Sequence, residues 1–262
     1  MNQMDAQQSI PVQHVQPDGC DYCMQAEQLE FDFSMAFQPI VDVKAKTIFG
    51  YEALVRGVQG ESAYVVINKV KNKNSYAFDQ MCRVKAITLA KKLGMTQKLS
   101  INFMPNAVYK PERCIKTTLR AAREVGFAID QIMFEFTETE KITDVAHVEK
   151  IIQYYSDQGF ITAIDDFGAG YAGLGLLSEF QPHIVKLDMA LLRGIDTDKT
   201  RQAIVKHQVA MLRELGCEVL AEGIETHAEY AWLKAQGITL MQGYFFAKPA
   251  FEALPEVDFS QL

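Results

Sequence analysis

Acidic side chains recur in this sequence at one kind of place. The β-prone run TIFGYEALVRG carries Glu52 and Arg56, KLSINFM carries Asn102, and QIMFEFTE carries Glu135 and Glu138. FITAIDDF contains the adjacent pair Asp165-Asp166, and HIVKLD contains Lys186 and Asp188. CEVLAEGIE brings Glu222 and Glu225, and TLMQGYFF brings Gln242. A lone carboxylate at the end of a run is ordinarily solvated or paired with lysine. Recurrence at the same end of successive runs is not what scattered surface charge produces. Carboxylates converging on one mouth repel one another at neutral pH unless some hold protons or a cation neutralises them. The set is all oxygen, with the Asn102 amide and no His or Cys, which suits Mg²⁺ or Mn²⁺ better than zinc. The pair Asp165-Asp166 suggests two ions, one carboxylate bridging while its neighbour serves the second. Two ions about 3.5–4 Å apart clamp an in-line displacement at phosphorus and acidify a water between them. Lys186 and Arg56 then have a use as cations beside a phosphodiester, Arg with bidentate geometry.

The elements that must position these residues alternate. From Phe31 onward, β-prone runs, beginning with FDFSMAFQPIV, are separated by longer segments of helical period. Residues 76–93 place Phe78, Met81, Val84, Ile87 and Ala90 along one expected stripe, and 140–158 and 198–214 read similarly. Gly159 and Gly216 stand where the last two would stop. Strands alternating with helices imply right-handed crossovers and a mainly parallel sheet. In the absence of a glycine-rich dinucleotide turn, a closed (β/α)8 TIM-type barrel is favoured over an open doubly wound sheet. Only a few residues around Lys44–Lys46 join the first two runs, too few for a crossover helix, so the barrel is expected to start antiparallel. In such barrels chemistry collects at the carboxyl ends of the strands.

The chain has 262 residues, enough for one large barrel domain over 31–262 after an N-terminal tail, 1–30, expected to be mobile. Hydrophobic content of 48% and charged content of 23% are those of an ordinary globular protein. A net charge of −7 argues against binding nucleic acid polymers but not against a small phosphate ligand. No apolar run approaches the roughly 18–20 residues that span a bilayer, and no secretory signal pattern opens the chain, so a cytoplasmic location without membrane association is expected. Of the five cysteines, Cys20 and Cys23 form a CDYC pair with no second pair to complete a zinc set. The DFG of Asp166-Phe167-Gly168 lacks the glycine-rich loop and catalytic loop of a kinase.

In this order, FQPIVD, GYEALVRG, INFMPN, FEFTETE, IDDFGAGYAGL, VKLD, AEGIET and QGYFFAKP resemble the motifs of EAL-domain cyclic-di-GMP phosphodiesterases, over about residues 35–250. The resemblance implies a modified TIM barrel with one antiparallel strand. It also implies hydrolysis of cyclic-di-GMP to linear pGpG with Mg²⁺ or Mn²⁺, inhibition by Ca²⁺, and a dimer. By motif, Glu52, Asn102, Glu135 and Asp165 would hold one ion, and Asp165 would bridge to a second held with Asp166 and Glu222. Lys186 would orient the attacking water and Glu222 would help deprotonate it. Gln38 and Arg56 would contact guanine and phosphate, with Gln242 also on the substrate side. Glu138 and Glu225 would fix the loop after Asp165-Asp166, which links metal binding to dimer contacts. Ala169, Ala172 and Met189 stand where Thr, Ser and Arg are frequent; none of these removes a metal ligand. No cyclase motif or sensory module precedes the barrel, so regulatory input is expected from an unidentified partner protein, the tail or a dimer interface. A receptor that binds without cleaving, and an enzyme for a different phosphodiester, are the alternative readings.

Overall fold

A computed structural model describes residues 29–137, 144–168 and 173–262. The β-branched and aromatic runs become strands β1 (Ser34–Asp42), β2 (Thr47–Arg56), β3 (Lys98–Asn102), β4 (Ile132–Thr137) and β5 (Ile161–Phe167). They continue as β6 (Ile184–Leu187), β7 (Glu218–Ala221), β8 (Leu240–Met241) and β9 (Ala250–Phe251). β2 through β8 pair in parallel in chain order, and β1 closes the ring by running antiparallel to both β2 and β8. The result is the expected eight-strand barrel with one antiparallel strand at its start. β9, an antiparallel addition to β1 at Ala36–Phe37, carries no sequence signal because two residues cannot display a period.

The helices are α1 (Ala63–Ile67), α2 (Ser75–Lys92), α3 (Pro111–Val125), α4 (Val145–Asp157), α5 (Gly173–Glu179), α6 (Met189–Leu192), α7 (Lys199–Glu214) and α8 (His227–Ala235). Gly159 and Gly216 follow α4 and α7 with φ of 90° and 78°, the left-handed stop the sequence suggested. The α2 stripe needs correction. Its buried face includes Asp79, Cys82, Arg83, Ala86 and Ala90, while Met81 and Val84 are only partly buried. Steps of three residues fall short of a 3.6-residue turn, so the expected stripe drifts round the helix.

Strand parity sets the interior. Ile40, Met133, Ala163, Ile184, Leu220 and Leu240 pack together as an apolar layer inside the barrel. Two residues further along each parallel strand, or directly after it, come Glu135, Asp165, Lys186, Glu222 and Gln242, on the same side of the pleat. β1 runs the other way, so Gln38 is reached by stepping back two residues from Ile40. The polar layer therefore lies on an apolar plug. Intervening residues such as Phe134, Ile164, Val185 and Val219 point outward into the helix-packed core.

Candidate active site

Lys186 is the centre of the polar layer and has no solvent exposure. Its Nζ lies 2.7 Å from Glu135 Oε2, 2.9 Å from Asp165 Oδ1, 2.9 Å from Glu222 Oε1 and 3.8 Å from Glu52 Oε2. Four carboxylates from four strands thus surround one ammonium. Burial alone would lower the Lys186 pKa, but Asp165, Glu135, Glu222 and Glu52 together hold it well above the ordinary lysine range.

One positive charge cannot neutralise this ring, and protons make up part of the difference. Burial pushes the Glu135 carboxyl up to about 8; Lys186 opposes the rise, and Glu52 and Asp165 add to it. Burial and the neighbouring Asp165 raise Glu222 well above the carboxylate range. Burial also acts to raise Asp165, yet Lys186 and a hydrogen bond from Glu222 hold it below its ordinary value. The shared hydrogen bond thus shifts the two carboxyls in opposite directions, Glu222 up and Asp165 down.

Glu52, Glu135 and Asp165 each offer a carboxylate oxygen within 4.8 Å of one another, close enough to share a single ion. Glu135 Oε1 is buried and has no hydrogen-bond partner among the described residues. An unpartnered carboxylate oxygen beside those of Glu52 and Asp165 fits a hard divalent cation. Asn102 Nδ2 donates to Glu52 Oε1 at 2.9 Å, and Gln242 Nε2 donates to Glu52 Oε2 at 2.8 Å. Gln242 Nε2 also lies 3.3 Å from Gln38 Oε1, and Gln38 Nε2 donates to Ala247 O at 3.2 Å. Gln38 and Gln242 are thereby fixed beside Glu52.

Asp166 breaks the pleat. In a regular strand it would point away from Asp165, but the β5–β6 register shifts between Ile164 and Phe167 and Asp166 has φ of 54°. Its backbone N–H donates to Asp165 Oδ1 at 3.0 Å. Burial, with the charges of Asp165 and Asp188, raises its carboxyl to about 6. A non-glycine residue held at positive φ costs on the order of 1–3 kcal/mol, which the surrounding structure must offset.

Other expected residues lie elsewhere. Arg56 turns back to donate from Nη1 to Val55 O at 2.7 Å. Glu225 is exposed and pairs with Arg193 at 2.7 Å. Glu138, the loop positions Ala169 and Ala172, and the Cys20/Cys23 pair lie outside the described residues. Sequence reasoning missed Glu229, which is 3% exposed and accepts backbone hydrogen bonds from Gly194, Glu225 and Thr226, tying the segment after β6 to the one after β7. The pattern Thr226-x-x-Glu229 is a capping box and was readable as such.

Comparison with protein-family models matches residues 24–249 to the EAL domain. This chain belongs to the EAL-domain family. Among solved structures, this EAL domain superposes with TM-score 0.87 on a standalone versatile EAL protein from Vibrio cholerae O395 in c-di-GMP-bound form. The two are 61% identical, over 89% of this chain and 99% of that one. It also superposes with TM-score 0.81 on Klebsiella pneumoniae BlrP1 in a manganese/cy-diGMP complex, at 35% identity over 88% of this chain and 60% of that one. Among curated proteins it is 32% identical, over 85% of its length, to the blue light- and temperature-regulated antirepressor BluF of Escherichia coli K12, and covers 55% of that protein. It is 28% identical over 87% of its length to the probable cyclic di-GMP phosphodiesterase PdeN of the same organism, and covers 44% of that protein. The EAL domain thus spans about half the length of these curated relatives. No helix among its described residues is long and apolar enough to cross a membrane.

Proposed function

We propose that this chain is a metal-dependent phosphodiesterase that opens one phosphodiester bond of cyclic-di-GMP to give linear pGpG. The observation that carries the reading is the ring of Glu52, Glu135, Asp165 and the partly buried Glu222 around the buried Lys186, on a fold whose solved neighbours bind this dinucleotide. Glu52, Asn102, Glu135 and Asp165 would hold one Mg²⁺ or Mn²⁺, and Asp165, Asp166 and Glu222 a second. Bound there, the ions would supply charge neutralisation at the phosphoryl oxygens and a more acidic water.

The remaining steps belong to side chains. Lys186, already held by carboxylates on several sides, orients the attacking water. Glu222 accepts the proton of that water. Gln38, fixed through both ends of its amide, meets a guanine edge, and Gln242 supports it. Arg56 reaches a phosphate by leaving its bond to Val55 O, an exchange of a neutral acceptor for a charged one. Glu138 and Glu225 steady the loop that follows Asp166, with Glu225 doing so from its pairing with Arg193. The chain acts as a homodimer in the cytoplasm, regulated by a partner protein, through a catalytic domain over 31–262; residues 1–28 lie outside the described residues.

Incubation of the purified chain with cyclic-di-GMP and Mg²⁺, Mn²⁺ or Ca²⁺ in parallel tests the reading. The expected result is linear pGpG with Mg²⁺ or Mn²⁺ and none with Ca²⁺, with turnover abolished by Glu52→Ala or Glu222→Ala. Light scattering of the same samples should give the mass of two chains. Turnover retained in both variants sinks the residue assignment. The similarity to an antirepressor favours a second reading, a module that binds its ligand and relays it to a protein; tight binding without turnover in Mn²⁺ would establish that instead.

A further inference from the structure

Behind the strands that carry Asn102 and Glu135 lies a second group of buried charges with no part in the chemistry above. Asp79 and Arg83, on α2, form an ion pair at 2.8 Å with side chains 1% and 0% exposed. Arg83 Nη1 donates to the Tyr155 hydroxyl at 2.9 Å. Its Nε has no hydrogen-bond partner among the described residues; the guanidinium lies 4.9 Å from the Phe134 ring, 5.5 Å from Phe103 and 5.7 Å from Tyr155. Asp79 Oδ1 accepts from the backbone N–H of Met104 at 2.9 Å.

Stability is a poor explanation for this arrangement. The cost of desolvating two charges roughly offsets their attraction, and well-packed apolar replacements of buried pairs are often neutral or stabilising. The contacts are selective in another way. Phe103 and Met104 are the two residues after Asn102, and Phe134 is the residue before Glu135. Asn102 and Glu135 are register partners, and the Phe103 N–H donates to Glu135 O at 2.8 Å. One ion pair therefore grips the backbone on the far side of two neighbouring oxygen ligands. Phe103 makes the last backbone bond to β4, and for the next residue, Met104, Asp79 supplies the acceptor.

We infer that Asp79 and Arg83 are positioning residues that hold the Asn102–Met104 exit of β3, and through it the Asn102 amide and Glu135 carboxylate, in the geometry that binds the divalent ion. This rests on the metal-dependent reading of the site. Outer groups that orient metal ligands typically govern 10–100-fold in affinity.

The test compares wild type with Asp79→Leu/Arg83→Met, which removes both charges together, and with Arg83→Lys, which keeps the charge but not the planar contact with three rings. Mn²⁺ binding is measured by calorimetry without substrate, and turnover is measured separately. The double variant is expected to lose about 10–100-fold in Mn²⁺ affinity and a similar factor in kcat. KM for cyclic-di-GMP should stay within about twofold, since Gln38 and Arg56 sit on β1 and β2. Arg83→Lys should recover part of the affinity. A crystal structure of the double variant should show the 2.9 Å contact from Asn102 Nδ2 to Glu52 Oε1 lost. Wild-type Mn²⁺ affinity with that contact intact overturns the inference. Should the double variant not fold, Arg83→Lys decides alone, and unchanged Mn²⁺ affinity overturns it. Weakened Mn²⁺ binding in the variants, with no cyclic-di-GMP turnover by wild type, refutes the proposed function and leaves the positioning role standing.

Discussion

Replacing Lys186 with Met keeps the length of the side chain and removes the ammonium that sits among four carboxylates. An ionised carboxylate 2.7–2.9 Å from the ammonium is attracted to it by roughly 6 kcal/mol at an effective dielectric constant near 20, and by less where the carboxyl holds a proton. Burial of the lysine itself offsets much of that gain. What the substitution leaves behind is a set of buried acids without a counter-charge, and deletions of this kind cost about 3–5 kcal/mol. Glu135, Glu222 and Asp165 can relieve the repulsion by binding a proton, which moves the expected cost toward the lower end. At about 2–4 °C per kcal/mol for a chain near this size, metal-free Lys186→Met should melt about 6–20 °C below wild type. The assay is thermal unfolding of EDTA-treated protein at neutral pH, repeated with excess Mn²⁺. The ions should narrow the gap by neutralising the same oxygens, while kcat for cyclic-di-GMP stays at least about 100-fold down because the water has lost its orienting donor. A metal-free midpoint within about 2 °C of wild type would show that the carboxylates do not depend on Lys186, and the electrostatic account of the site would fail.

Two further predictions concern the same face. Glu135 and Asp166 have folded-state pKa values raised to about 8 and about 6, and Glu222 is raised well above its ordinary value. The folded protein therefore binds more protons than the unfolded chain from about pH 4.5 upward, so metal-free stability should fall as pH rises toward about 8. Asp165, held low, has the opposite sign, but its contribution is lost only below its ordinary value and lies outside this window. Urea titrations in EDTA across pH 5–8 check the slope, and a stability that rises over this range contradicts it. Gly223 has φ of 65°, and a Cβ placed there would lie 2.3 Å from Met189 Cβ. Gly223→Ala should cost about 1–3 kcal/mol and, by shifting the adjacent Glu222, lower kcat by about 100-fold. Wild-type kcat in a folded Gly223→Ala would show that Glu222 does not depend on this turn.

What the sequence determined by itself was local and periodic. Alternation places Met133 and Glu135, Ala163 and Asp165, and Ile184 and Lys186 on one side of their strands, whichever sheet they join. The short Lys44–Lys46 link excludes a crossover helix, which makes β1 antiparallel before any coordinate is known. The oxygen-only donor set already pointed to hard cations. Tertiary structure decided what periodicity cannot express. Asp166 escapes strand alternation through a register shift and a positive φ, neither of which its residue type announces. Asp79 and Arg83 are, in sequence, no more than an acid and a base four residues apart, and only packing against β3 and β4 makes them a buried grip on Phe103 and Met104. Arg56 bonds to its own strand because, among the described residues, the carbonyl of Val55 is its hydrogen-bond acceptor. That one lysine should lie among acids from four strands follows from closure of the ring. Closure brings residues distant in sequence within 3–4 Å, and the field each then feels is a sum over neighbours that no local window contains.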